Sequence, residues 1–130
     1  MTKAIILSRV NTQQQNLEQQ TQEVLREVCK DGLKSKDIII LEDKESAIKL
    51  SEEERNGLNR MKQLIESDSS ISTVYLYELS RLSRRQLVLF SSRDFLVQRK
   101  IQLICLKPYF RLLDNEGTLS QTGSFMFSLF

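Results

Sequence analysis

The chain has 130 residues, 40% of them hydrophobic and 28% charged, with a formal net charge of +2; this is the profile of one globular domain that buries about two thirds of its unfolded surface, not of a disordered or fibrous chain. So small a net charge means that any affinity for nucleic acid must come from local clustering of cations. Histidine is absent, which excludes Ser-His-Asp and Cys-His nucleophiles and H-E-x-x-H zinc sites and leaves arginine, lysine, carboxylates and hydroxyls for any chemistry.

Ala4-Ile5-Ile6-Leu7 is four apolar residues in a row, which suits a strand covered on both faces, and the polar run Ser8 to Thr12 then falls at its carboxyl end, where open sheets bind ligands. Gln13 to Val28 is helical in pattern: Leu17, Thr21, Val24, Leu25 and Val28 recur at spacings of three and four, leaving a Gln-rich face for solvent. Asp31-Gly32 is a plausible stop, and Ile38-Ile39-Ile40-Leu41 is a second strand. Asp43 to Ser51 reads as a loop. Ser51 and Glu54 then form a capping box opening a helix whose apolar face is Leu58, Met61, Leu64 and Ile65.

Thr73 to Leu79 is a third strand, rich in β-branched and aromatic residues, with Ser80-Arg81-Leu82-Ser83-Arg84-Arg85 directly beyond it. A helix from about Arg85 to Gln98 follows, with Leu87, Val88, Phe90, Phe95 and Leu96 supplying apolar contacts, and then a strand from Ile101 to Leu106 closed by Pro108. The alternation of strand and helix predicts an α/β fold, an open and mostly parallel sheet of about four to five strands flanked by helices. Cys29 and Cys105 have no C-x-x-C spacing and are expected to be buried thiols rather than a disulfide or metal site. No apolar run reaches the roughly 18 residues that span a bilayer, and the N-terminus lacks the layout of a secretory signal, so a cytoplasmic protein is expected.

Ile6 to Gln20, I-L-S-R-V-N-T-Q-Q-Q-N-L-E-Q-Q, resembles the start of a serine recombinase catalytic domain of the resolvase/invertase family, roughly Y-x-R-V-S-T-x-x-Q-x-L-x-x-Q. Arg9, Val10, Thr12, Gln15, Leu17 and Gln20 match. Asn11 stands where the family carries its nucleophilic serine. Glu54-Arg55-Asn56-Gly57-Leu58 resembles the family's x-R-x-G-L element, and Leu79 to Arg84 its D/S-R-L-x-R element. Together with the terminal stretch described below, the likeness spans residues 4 to 130.

The resemblance implies a resolvase catalytic-domain fold, flavodoxin-like in three layers, and an active site with Arg9, Arg55, Arg81 and Arg84. In-line cleavage of a phosphodiester develops negative charge on oxygen, so such a site needs fixed cations. Guanidinium groups hold phosphate in bidentate fashion and keep their charge. No cofactor is expected, metal or nucleotide. The i, i+3 spacing of Arg81 and Arg84 places both on one side of a helical turn. Ser80 belongs to the same element.

The resemblance moves Gln15 toward the site, while Gln20 either orients a phosphate or faces solvent. Asp43 and Ser46 resemble the family's D-K-x-S loop and belong either to the same pocket or to an ordinary polar loop. Thr12 reads as a cap or supporting residue and Ser8 as a strand-end hydroxyl bonded to backbone. Because a carboxamide is a poor nucleophile, Asn11 is expected to silence recombination chemistry while sparing the fold.

Phe125 to Phe130 is strongly apolar and helix-compatible. It resembles the start, near residue 120, of the family's long dimer-forming helix, so we expect one catalytic domain over residues 1–130 that stops inside that helix, with the DNA-binding region outside it. The implied partners are double-stranded DNA and further copies of the chain, as dimers that pair into tetramers, with no membrane and no nucleotide. The competing reading is a non-catalytic DNA-binding or regulatory module of the same fold. An α/β domain binding a phosphorylated ligand fits less well, since no Gly-rich loop follows the first strand and no acidic cluster suits Mg²⁺.

Overall fold

In the computed structural model the chain runs β1 (Lys3–Val10), α1 (Gln14–Lys30), β2 (Ile38–Lys44), α2 (Asn56–Ser67), β3 (Ile71–Leu76), α3 (Gln86–Gln98), β4 (Gln102–Leu106), β5 (Tyr109–Arg111) and α4 (Gln121–Ser128). The structure describes residues 2–10, 14–44 and 56–129, without the side chains of residues 9, 10, 14–18, 43, 44 and 56. The Ser51–Glu54 capping box lies outside the described residues.

The strands form one sheet in the order β2-β1-β3-β4-β5. β1 pairs in parallel with β2 and β3, β3 in parallel with β4, and β5 runs antiparallel to β4. The expected open, mostly parallel sheet is present, with the strand order of a flavodoxin-like fold.

Successive strand residues point to opposite faces, and the core divides accordingly. Ala4, Ile6, Tyr75 and Ile104 pack with Val24 and Val28 of α1 on one face. Ile5, Leu7, Val74, Leu76, Leu103 and Cys105 pack on the other against Leu58, Met61 and Ile65 of α2, Leu89 and Leu96 of α3, and Phe127 of α4. One helix, the sheet and three helices make the three layers. Burial from both sides is why Ala4 to Leu7 needs four apolar residues in succession.

Several expectations are corrected. The third strand stops at Leu76, and Leu79–Arg81 is a 3-10 turn; Leu76, Leu79 and Leu82 are all buried, and that spacing of three is a turn's period rather than a strand's. Leu87 is 83% exposed, because the buried stripe of α3 is Leu89, Ser92 and Leu96 and Leu87 lies off it. Cys105 is buried but Cys29 is exposed, since it sits one residue past the Val28 stripe on α1.

β5 went unforeseen: beyond Pro108 the chain turns back, and Phe110 packs edge-on against Phe127 with ring centroids 6.3 Å apart. The Gln102 side chain stitches the following segment down, donating to the Leu113 carbonyl at 3.0 Å and accepting from the Leu113 N–H at 2.8 Å. The expected terminal helix is α4. Ser120 caps it, its side chain accepting from the Gly123 N–H at 2.8 Å.

Candidate functional site

In a sheet of this order the strand connections diverge between β1 and β3, and the crevice beyond their carboxyl ends is where such folds bind ligands. Both strands deliver polar residues there. β1 carries Ser8 near its carboxyl end, and beyond β3 come Tyr77, Glu78, Ser80 and Arg81. A small, water-sized pocket lies at this point, lined by Ile6, Leu7, Ser8, Gln20, Thr21, Val24, Tyr77 and Arg81.

Arg81 is the centre of the cluster. The 3-10 turn tucks it inward between buried Leu79 and Leu82, so that only 9% of the residue is exposed. Its Nη2 donates to Gln20 Oε1 at 2.9 Å and lies 3.2 Å from Glu78 Oε1. The same Glu78 oxygen accepts from the Ser80 hydroxyl at 3.0 Å. A buried cation is tolerated only where acceptors and a counter-charge surround it, and α1 and the β3 exit supply them. Gln20, whose place between phosphate and solvent was open, therefore faces the site.

Arg84 differs from Arg81 in exposure. The turn ends at Arg81, and Arg84 sits in the link to α3 with its residue exposed, so the expected common helical side is not formed. Ser8 also departs from expectation. It is 8% exposed, and its hydroxyl has no hydrogen-bond partner among the described residues, a state that costs about 1–3 kcal/mol.

The side chains of Arg9, Gln15 and Asp43 lie outside the described residues, as do Asn11, Thr12, Ser46 and Arg55 entirely. The backbone does make Arg9 and Asp43 register partners on β1 and β2. Among the described residues no group of three or more His, Cys, Asp or Glu is arranged to hold a metal ion.

Cys105 lies behind the β3 exit, its thiol directed at the Tyr77 carbonyl at 3.8 Å. Burial pushes that thiol up to about 11, so it stays protonated and inert at neutral pH. Tyr75, deeper on the α1 side, donates to Asp31 Oδ2 at 2.6 Å; burial first, and that bond second, raise its hydroxyl pKa well above the usual tyrosine range. Glu78 was the residue that sequence reading missed, although its i, i+3 spacing to Arg81 was the available signal.

Fold and site define a doubly wound α/β domain with a buried arginine held at the switch point. The sequence matches the family model "Resolvase, N terminal domain" over residues 4–130, and the chain belongs to that family. Its fold is similar to that of the N-terminal catalytic domain of TP901-1 integrase, at 24% identity and a TM-score of 0.68, covering 98% of this chain and 90% of that one. It is likewise similar to a resolvase family site-specific recombinase from Streptococcus pneumoniae, at 24% identity and a TM-score of 0.69, covering 99% of this chain and 83% of that one. No curated protein matches the sequence.

Proposed function

We propose that the chain is the catalytic domain of a site-specific serine recombinase acting on double-stranded DNA, and that Asn11 leaves it unable to form the phosphoserine link. The observation that carries the reading is Arg81, buried at the switch point with a polar cradle around it, in a chain that matches the family throughout. In this reading Arg81, with Arg9, Arg55 and Arg84, neutralises the charge that develops on the scissile phosphate as the bond breaks. Gln20 and Ser80 hold that arrangement from α1 and the β3 exit, and Thr12, Gln15, Asp43 and Ser46 are the further candidates for contact with the substrate. The scheme relies on arginines where other phosphoryl-transfer sites rely on a metal or nucleotide.

Assembly of copies fits the same reading. Phe125 and Leu129 are 60% and 58% exposed at the end of α4, four residues apart and hence one above the other. That apolar ridge suits pairing with a second copy, as dimers that associate into tetramers. The alternative, a regulatory module that keeps the fold and phosphate affinity without catalysis, is favoured by Asn11 itself.

A covalent-complex assay decides between them. The natural protein carrying this chain and its Asn11→Ser version are mixed with supercoiled DNA bearing a candidate site, and denaturing gels read DNA-linked protein. Adduct from the serine version alone supports a silenced recombinase. Adduct from the Asn11 protein would mean that Ser8 or Thr12 attacks, and silence from both would favour the module.

A further inference from the structure

We propose that Glu78 is a built-in competitor at this site: its carboxylate holds Arg81 while the cleft is empty and sets how tightly a phosphate-class anion can bind. The proposal rests on the reading of the cleft as a phosphate site. It starts from an asymmetry within the ion pair. The Arg81 side chain is 11% exposed and the Glu78 side chain 41%, so the acid can turn to water at little desolvation cost while the buried arginine cannot.

Arg81 has a neutral acceptor besides Glu78. Gln20, on α1, accepts from the same Nη2 at 2.9 Å. What Gln20 cannot provide is charge compensation for a buried guanidinium, and Glu78 provides it at 3.2 Å. A phosphate oxygen approaching Nη2 would meet that carboxylate at close range, and two like charges within a few ångströms oppose one another. Binding is then an exchange of anions: phosphate takes over the compensation and Glu78 is released with its Ser80 contact.

A strut and a competitor predict opposite results on neutralisation. Glu78→Gln keeps an oxygen able to accept from Ser80 and Arg81 and removes the charge. Titration of the 130-residue chain with inorganic phosphate at low ionic strength, followed by the amide resonances of residues 77–81, measures the affinity. As a competitor, Glu78→Gln binds phosphate about three- to tenfold more tightly than the natural sequence, the scale of a partly exposed charge contact. The gain disappears in the Glu78→Gln/Arg81→Gln double variant. Weaker or equal binding by Glu78→Gln, a gain that survives loss of Arg81, or no binding by any variant would each overturn the proposal. Should Glu78→Gln lose its cooperative thermal transition, Glu78→Ser is read by the same criteria.

The two readings fail separately. Tighter phosphate binding without any DNA adduct from the Asn11→Ser protein would leave the competitor standing and the recombinase reading refuted. Adduct formation with no change in phosphate affinity would do the reverse.

Discussion

Gly123 is the position where one methyl group would most directly test how α4 is seated. Ser120 ties the helix start to the end of β5, its N–H donating to the Leu112 carbonyl and its hydroxyl to the Arg111 carbonyl, each at 2.8 Å. A Cβ on Gly123 would lie 2.8 Å from the Leu112 carbonyl oxygen, 2.9 Å from Ser120 Oγ and 3.0 Å from Leu112 Cα. Two of these atoms are backbone and cannot swing away. Helix propensity alone would favour alanine here by about 1 kcal/mol. Against this, overpacking costs about 1–3 kcal/mol and a disturbed serine cap about 1 kcal/mol more. The net expectation for Gly123→Ala is a loss of about 2 kcal/mol, and a fall in Tm of roughly 7 °C for a domain of this size. Thermal unfolding by circular dichroism, with denaturant titration beside it, measures the loss. A Tm equal to or above that of the natural sequence would refute the close seating of α4 on residue 112.

Ser8→Ala removes a buried hydroxyl that has no partner among the described residues, so stability should hold or rise by about 1 kcal/mol in denaturant titration; a loss of that size would reveal a partner. Asp68 accepts from Ser70 and Lys3, and the Ser70 hydroxyl foremost, with the Ser70 N–H and Lys3, holds its pKa at about 2 against an ordinary 3.8. A depressed carboxylate adds stability that is complete above its unfolded pKa and lost as pH falls through the folded one. The stability gap between the natural sequence and Asp68→Asn should therefore be constant above about pH 5 and close between pH 4 and 2, which acid titrations of the unfolding midpoint will follow. A thiol reagent should modify the exposed Cys29 in the folded protein and reach the buried Cys105 only after unfolding; mass spectrometry of the labelled chain distinguishes the two.

What was legible in the sequence was local. The apolar run Ala4 to Leu7 reads directly as a strand covered on both faces, and the stripes of α1 and α2 as helices packed on a sheet, because periodicity reports burial. Neighbours are another matter. Ile38 to Leu41 is as apolar as β1, yet β2 is an edge strand with Ile40 42% exposed. An apolar run does not say which strands flank it, so the order that puts the β1 and β3 ends side by side was out of reach. The three-residue β5 was hidden because only Phe110 of it is buried.

The same limit governs the site, where the sequence offers Arg81 and Arg84 as equivalents three residues apart. They part because the leucines do: Leu79 and Leu82 are buried together and draw the turn inward at Arg81, while the chain beyond Ser83 leaves for α3 with Arg84 exposed. Once an arginine is carried inward with its neighbours, the fold must supply acceptors and an anion or forfeit the burial. Gln20 answers from 61 positions away, which no local pattern announces, whereas Glu78 answers from within the same turn. Of the two acceptors Glu78 is the nearer in sequence, overlooked because a carboxylate at the end of a strand reads as an ordinary solvated charge until the cation beside it proves to be buried.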